Sequence, residues 1–212
     1  MNVVATILLL VGVAVACADW LAVTHGQRRV EYVCKPAVIV LLVGSALALQ
    51  PVSGTQRAWV VVALALSLAG DVALVLPRER FEVGLGAFLL AHAAYVVAFI
   101  SSGFSAARAA MALTGLLIVG AVLMQRVVRG LRAGPHRTPV AALVTYGVAL
   151  SATVMFAFAS RQPLAVVPAM LFYISDSVLA TRRFIRPRPW MPLAVIVTYH
   201  LAQVGFVVLL AL

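Results

Sequence analysis

"WVVVALALSLAGDVALV", residues 59–75, is an apolar run in which polar and apolar side chains do not alternate. A strand of a membrane-spanning β-barrel would be shorter and would alternate in polarity, so the run is typical of a helix surrounded by hydrocarbon. The whole chain has 212 residues, of which 64% are apolar and 10% are charged. Because soluble domains carry about 25% charged residues, we predict an all-α polytopic membrane protein.

The apolar residues fall into eight segments that are separated by charged residues, proline and glycine. Each segment has about 20 residues, the length that a helix needs to cross the hydrocarbon layer. The predicted spans lie near residues 2–23, 34–50, 57–76, 81–101, 107–128, 138–159, 163–181 and 190–212. The loops between them are short, so we predict a single eight-helix transmembrane domain over residues 1–212.

The basic residues are distributed unevenly between the two predicted membrane faces. Only Arg57, Arg108 and Arg161 belong to the face that carries the even-numbered loops. The others lie in or beside loops one, three, five and seven: Arg28, Arg29, Lys35, Arg78, Arg80, Arg126, Arg129, Arg132, Arg137, Arg182, Arg183, Arg186 and Arg188. Cytoplasmic loops are enriched in Lys and Arg, so we predict a cytoplasmic membrane protein whose odd-numbered loops face the cytoplasm and whose termini lie outside. The same distribution disfavours a basic groove for nucleic acid.

The two halves of the chain resemble each other, which predicts a parallel four-plus-four duplication with repeats near 1–104 and 105–212. Three pairs of segments match at nearly constant offset: "KPAVIVLLVGSAL" at 35–47 with "TPVAALVTYGVAL" at 138–150, "GDVAL" at 70–74 with "SDSVL" at 175–179, and "HAAYV" at 92–96 with "HLAQV" at 200–204.

Three aspartates occur within predicted spans, at Asp19, Asp71 and Asp176. An aspartate at the centre of a spanning helix costs about 2.5–3.5 kcal/mol on insertion scales, so such residues are rare unless they have a use. Asp71 precedes Arg78 by seven residues and Asp176 precedes Arg182 by six. Both carboxylates are therefore expected roughly 9–11 Å from the same basic layer.

Other polar residues are predicted in the same half of the membrane or near its midplane. Lys35 is expected to open the second span, and His92, Tyr146 and His200 lie deeper in theirs. We predict one polar cavity that opens toward the cytoplasm. Helical spacing predicts three inward faces: Ser67, Gly70 and Asp71; Phe88, His92, Tyr95 and Phe99; and Tyr199, Gln203 and Phe206.

Each of these residues also allows a structural interpretation. Lys35 can extend toward lipid phosphates, Asp19 can be solvated at the membrane surface, and the tyrosines can pack with their hydroxyls on neighbouring backbone. Asp71 and Asp176 can pair with Lys35 or His92 only to hold helices together. The sequence leaves these alternatives open.

Four motifs follow one another in a specific order between Lys35 and Gln203: "KP" at 35–36, "LSLAGDVALVLPRERFEVGLGAFLLAHAAY" at 66–95, "LFYISDSVLA" at 171–180 and "YHLAQ" at 199–203. Together they resemble the YhhN-type lysoplasmalogenase family of integral membrane proteins. The resemblance implies hydrolysis of the vinyl ether bond of lysoplasmalogens, which releases a fatty aldehyde and glycerophosphocholine or glycerophosphoethanolamine. Pro168 and Ala169 stand where the family usually has Gly and Ala, and the proline can bend the seventh helix.

The resemblance also implies a site, made of the residues that match its motifs. These residues are Lys35, Asp71, His92, Tyr95, Ser175, Asp176, Tyr199 and Gln203. We predict that Asp71, Asp176 and His92 are catalytic. The residues predicted to bind the substrate are Lys35, Tyr95, Tyr146, Ser175, Tyr199 and Gln203. The expected partners are a lysophospholipid substrate and the bilayer lipids, and no cofactor and no metal is assigned.

Vinyl ether hydrolysis suits a pair of carboxyl groups. A proton must reach the terminal vinyl carbon, and water must then add to the resulting oxocarbenium ion. A carboxylic acid surrounded by hydrocarbon keeps its proton more readily than in water, and a second carboxylate would stabilise the cation, as in glycoside hydrolysis. We predict that Asp71 and Asp176 meet as this pair, and the sequence does not distinguish the acid from its partner.

Two other functions remain open at this level. A metal-dependent lipid hydrolase would use the aspartates with His92 and His200 as ligands, but their spacing matches no common ligand motif. A proton-coupled transporter would also place ionisable groups near the midplane of a repeated fold. Activity that is lost on chelation and restored by zinc would favour the first, and flux without lipid cleavage would favour the second.

Overall fold

The computed structural model describes residues 2–76, 80–135 and 138–212, and within these ranges it contains eight long α-helices. They are α1 Val3–Thr24, α2 Arg28–Ala48, α3 Gly54–Val75, α4 Phe81–Ser101, α5 Ala106–Ala133, α6 Val140–Ala159, α7 Val166–Phe184 and α8 Met191–Val208. Short 3₁₀ turns at Pro163–Ala165 and Leu209–Ala211 precede α7 and follow α8. All eight helices are long and apolar enough to cross a membrane, which confirms the predicted fold class.

Two helices extend beyond their predicted spans. The second begins at Arg28, directly after a turn in which Gly26 has a φ of +66°. Lys35 therefore lies two turns inside α2, and the prediction that it opens this span is wrong. The fifth continues to Ala133. In both cases the charged flank of the apolar segment also forms helix, because helical hydrogen bonding does not end where the hydropathy falls.

The helices pack mainly against their neighbours in the chain, and α8 closes the bundle by contacting α1, α2 and α3. In contrast, α5 lies at the periphery against α6 and α7. Its buried side chains are Val127 and Leu131, both near its last turns. A Cβ added at Gly130 would lie 1.8 Å from the carbonyl oxygen of Phe184, so only glycine allows this approach of α5 to α7.

The two ends of the bundle are joined by different contacts. We call the end with loops one, three, five and seven the odd-loop end, and the opposite one the even-loop end. At the even-loop end, the Gln56 amide donates to the Gln162 amide oxygen at 2.6 Å. At the odd-loop end, the Arg183 guanidinium lies 3.7 Å from the centre of the Phe81 ring. Arg78 and Arg137, two basic residues assigned to odd-numbered loops, lie outside the described residues.

The internal duplication stays a prediction. The structure adds contacts between residues about half a chain apart: Gln56 with Gln162 and Tyr95 with Gln203, which are 106 and 108 residues apart. Two repeats related by an axis along the membrane normal would bring equivalent positions together near that axis.

Candidate active site

Asp71 lies at the centre of one polar group, which we call the Asp71 cluster, together with Lys35 of α2 and Tyr199 of α8. The Lys35 Nζ is 3.0 Å from Asp71 Oδ1, and the Tyr199 hydroxyl donates to Asp71 Oδ2 at 2.6 Å. Asp71 is fully buried, whereas the Lys35 side chain keeps 19% of its surface exposed. The cluster joins α2, α3 and α8, and the predicted polar face of α3 is confirmed as buried.

Asp176 lies at the centre of a second group, the Asp176 cluster, with Tyr146 of α6 and His92 of α4. The Tyr146 hydroxyl donates to Asp176 Oδ2, and His92 Nε2 lies 3.5 Å from the same oxygen. On its other side the imidazole is fixed by a hydrogen bond of 3.1 Å between His92 Nδ1 and the Thr153 hydroxyl. The two contacts at Asp176 Oδ2 and the hydrogen bond at His92 Nδ1 therefore hold both side chains in defined orientations.

The meeting of the two carboxylates as a catalytic pair stays a prediction. Each has its own partners, and no hydrogen bond or ion pair among the described residues joins them. The fully buried ring of Phe172 contacts both clusters, with its centre 4.6 Å from that of His92 and 5.4 Å from that of Tyr199. The two aspartates thus belong to two hydrogen-bonded clusters that share one aromatic neighbour.

A cavity of about 410 Å³ lies beside the Asp176 cluster, between α4, α5, α6 and α7. Its wall is mostly apolar, and Tyr146 and Asp176 contribute polar groups to it near its middle. Arg183 lines its odd-loop end. The residues of the Asp71 cluster do not line this cavity. The prediction of one polar cavity around all these residues is therefore corrected to an apolar cavity that contains one carboxylate.

Three other predicted substrate-binding residues form contacts between helices. The Tyr95 hydroxyl donates to Gln203 Oε1, and both residues are fully buried. Ser175 donates from its hydroxyl to the Val195 carbonyl at 2.9 Å. None of the three lines the cavity, so their predicted contact with the substrate is not supported by their position.

A further polar contact joins α1 and α8 through Trp20 and His200, and Asp19 precedes Trp20 on α1. Asp19 is fully buried, so its predicted alternative as a solvated residue is wrong. The indole nitrogen of Trp20 donates to His200 Nδ1 at 3.1 Å. Within the described ranges no group of three or more His, Cys, Asp or Glu side chains is arranged to hold a metal ion.

Sequence reasoning missed Thr153 and Phe172 as parts of the site. Thr153 follows Tyr146 by seven residues, so helical spacing already placed both on one face of α6. Nothing in the sequence marked Phe172, because an aromatic residue in an apolar helix does not indicate which side chains it contacts.

Comparisons with known proteins agree with the motifs. The model of the YhhN family matches residues 30–210. A lysoplasmalogenase of Mycobacterium bovis is 35% identical over 167 residues, which are 76% of this chain and 62% of that protein. Lysoplasmalogenase TMEM86B of Homo sapiens is 35% identical over 143 residues, which are 66% of this chain and 58% of that protein.

A third relative, the uncharacterized membrane protein YhhN of Escherichia coli, is 34% identical over 116 residues, which are 53% of this chain and 54% of that protein. The chain spans about three fifths of the length of the curated lysoplasmalogenases that it matches. No solved structure matches it significantly.

Proposed function

Because the chain belongs to the YhhN family, we propose that it is a membrane-embedded hydrolase for the vinyl ether bond of lysoplasmalogens. The products would be a fatty aldehyde and glycerophosphocholine or glycerophosphoethanolamine. Relatives named lysoplasmalogenase support the reaction. The observation that carries the proposal is the position of Asp176, which is held by Tyr146 and His92 at the wall of an apolar cavity inside a membrane protein.

In the first step, protonated Asp176 transfers its proton to the vinyl carbon that is farther from the ether oxygen. The electron pair of the double bond forms the new C–H bond, and the ether oxygen stabilises the remaining carbon as an oxocarbenium ion. Both described contacts of the carboxyl group fall on Oδ2, so we assign the transferred proton to Oδ1. The apolar wall excludes competing bases, and the carboxylate that is left balances the new positive charge.

In the second step, water adds to the carbon that bears the ether oxygen and returns one proton to Asp176. As the C–O bond of the resulting hemiacetal to the glycerol oxygen breaks, the hemiacetal hydroxyl gives its proton to that oxygen and becomes the carbonyl of the aldehyde, so the glycerol moiety leaves with a free hydroxyl group. The net reaction consumes one water and no proton. Tyr146 and His92 act as positioning residues, since both contact Asp176 and Thr153 fixes the imidazole.

The Asp71 cluster has a different role in this proposal. The ion pair of Lys35 and Asp71, with the Tyr199 hydroxyl, joins α2, α3 and α8, and none of these three residues lines the cavity. We therefore assign the proton transfer to Asp176 alone. The substrate phosphate is assigned to the odd-loop end of the cavity, where Arg183 supplies a positive charge.

We also propose that the odd-loop end faces the cytoplasm in the cell membrane. Support comes from the basic residues concentrated in the odd-numbered loops, which follow the distribution of cytoplasmic loops. The substrate would then enter from the cytoplasmic leaflet. Labelling of single cysteines placed in loops two and seven of intact cells tests the orientation, and labelling of loop seven from outside would contradict it.

The decisive experiment uses the purified protein with choline and ethanolamine lysoplasmalogens and measures the free aldehyde. Aldehyde release from both lipids is expected, and ester-linked lysolipids of equal chain length serve as the control, because they have no vinyl ether to protonate. Aldehyde release that does not exceed that of protein-free samples would refute the proposal. Lipid flux into proteoliposomes without cleavage would instead favour a transporter.

A further inference from the structure

The cavity continues past Asp176 toward the even-loop end. On α6, Ala152 and Met155 lie six and nine residues beyond Tyr146, and both line the cavity. On α5, Leu113 and Leu117 line the same part. We call this part, lined by Leu113, Leu117, Ala152 and Met155, the chain arm. Ser151, beside Ala152, also lines the cavity here, but the four residues that define the arm are all apolar, so hydrocarbon is the chemistry that it fits.

The length of the chain arm follows from helix register. An ideal Cβ at Gly120 would lie 3.6 Å from the Tyr173 hydroxyl, so Gly120 and Tyr173 lie close together. Tyr173 precedes Asp176 by three residues, and Leu113 precedes Gly120 by seven. At 1.5 Å per residue the chain arm therefore extends roughly 15 Å from Asp176 toward the even-loop end.

In the opposite direction from Asp176, toward the odd-loop end, the cavity is lined by the cationic side chain of Arg183. Arg183 follows Asp176 by seven residues on α7, which corresponds to about 10 Å along the helix. The cavity thus presents, in order, a positive charge, a carboxyl group and an apolar arm. A lysolipid with a phosphate, an ether linkage and a hydrocarbon chain has its chemical groups in the same order.

We propose that the chain arm binds the alkenyl chain of the lysolipid, and that Ala152 and Met155 determine which chain length is preferred. This inference rests on the proposed function and names the specificity determinants of the same site. The small side chain of Ala152 leaves the chain arm wide, and Met155 lies about one helical turn nearer the even-loop end of the arm. Each methylene that the arm takes out of water adds to binding, so a chain that fills the arm binds more tightly than one that stops short or extends beyond it.

The wall of the chain arm also indicates how the chain arrives. Leu113 and Leu117 line the cavity and are 45% and 61% exposed, and α5, which carries them, lies at the periphery of the bundle. A helix at the periphery of a membrane-spanning bundle borders bilayer hydrocarbon. The alkenyl chain therefore passes from the membrane into the arm alongside α5 without crossing water, and the chain length is sensed at the far end.

Two substitutions that should shift the preferred chain length in opposite directions test the inference. Ala152→Phe should fill the arm, so that kcat/KM for the longest alkenyl chain falls at least tenfold while kcat/KM for the shortest chain stays within about twofold. Met155→Ala should shift the optimum to longer chains, because it opens the end of the arm. Ala141→Phe is the matched control, since Ala141 is an exposed residue of the same helix outside the cavity. Unchanged chain-length profiles in both folded variants would overturn the inference.

A binding measurement separates this inference from the proposed reaction. Saturated alkyl ether lysolipids of graded length have no vinyl bond, and their thermal stabilisation of the detergent-purified protein reports binding alone. We expect the optimum length to move down in Ala152→Phe and up in Met155→Ala. If the optimum chain length shifts in the variants of a protein that releases no aldehyde, the proposed reaction is refuted but the role of the chain arm is supported. Aldehyde release with a fixed optimum would refute the chain arm only.

Discussion

The Asp71 and Asp176 clusters are built by the same plan and differ in what surrounds them. Asp71 on α3 takes Lys35 from α2 and Tyr199 from α8, whereas Asp176 on α7 takes Tyr146 from α6 and His92 from α4. Each aspartate therefore has one partner in its own half of the chain and one in the other half. This crosswise arrangement supports the proposed duplication.

The difference between the clusters lies in charge and space. Asp71 is paired with a lysine and enclosed by packed helices, while Asp176 is held by a neutral phenol and an imidazole next to a cavity. A buried ion pair is poorly suited to donating a proton to carbon, because its carboxylate is already neutralised by the cation. The same arrangement of an aspartate and two partners thus occurs once as a buried ion pair and once beside a cavity, where we propose that it is reactive.

The largest expected effect distinguishes the two aspartates in catalysis. Asp176→Asn removes the proton donor and should lower kcat by roughly 10²–10⁴-fold, the usual contribution of general acid catalysis, with little change in melting temperature. Aldehyde release and thermal unfolding of the purified variant check this result. Asp19→Asn is the matched control, since it makes the same change at a buried aspartate that does not line the cavity. Near-normal turnover in Asp176→Asn would show that Asp176 is not the proton donor and that the two clusters do not differ in catalysis.

The second effect concerns stability. Asp71→Asn should lower the free energy of unfolding by about 3–5 kcal/mol, because it leaves the Lys35 ammonium without its partner. Replacing both residues, as Lys35→Met with Asp71→Leu, should recover most of that loss. Unfolding in denaturing detergent measures all three proteins. If Asp71→Asn instead abolished turnover at unchanged stability, Asp71 would belong to the chemistry and the two clusters would not differ as described.

Two tyrosines allow a smaller and closely matched test, because each donates a hydroxyl to one of the aspartates. Tyr146→Phe should lower kcat about tenfold or more, since a hydrogen bond to a charged group is worth about 1.5–3 kcal/mol. Tyr199→Phe should lower stability by a similar free energy and leave kcat nearly unchanged. Kinetics and melting curves of both variants decide the point, and the reverse outcome would exchange the roles of the clusters.

The last test concerns the difference in packing along α5. A methyl group at Gly130 has no room against the Phe184 carbonyl, so Gly130→Ala should destabilise the docking of α5 by about 1–3 kcal/mol. Gly115 has no atom within 4 Å of an added Cβ. Gly115→Ala should therefore stabilise the protein by up to about 1 kcal/mol through helix propensity. Equal effects at both positions would contradict a close approach restricted to one end of α5.

Much of the fold and part of the site follow from the sequence. Hydropathy and segment length predicted eight helices, and helical spacing correctly predicted that His92 and Tyr95 face inward, as do Tyr199 and Gln203. Depth along a helix placed both aspartates at similar levels but contains no information on their direction around the bundle. Whether they meet depends on how α3 and α7 are arranged about Phe172, which only the tertiary packing determines.

The cavity was beyond prediction for a related reason. A void arises where side chains of several helices fail to meet, and no single helix carries a signal for it. The leucines of α5 have the same composition whether they face lipid or line a cavity. In the structure α1 packs closely on α2 and α8, whereas α5 lies at the periphery. The cavity lies beside this peripheral helix.

The contact between Gly130 and Phe184 has a mechanical consequence for α5. It fixes one end of this helix against α7, and the hydrogen bond of 2.9 Å from the Ser105 amide to the Ala159 carbonyl fixes the loop at its other end. A helix that is clamped at both ends and buries few side chains between them resists sideways displacement mostly through its own bending stiffness. The part of α5 between these two contacts, which forms the outer wall of the cavity, is therefore held less firmly than its ends.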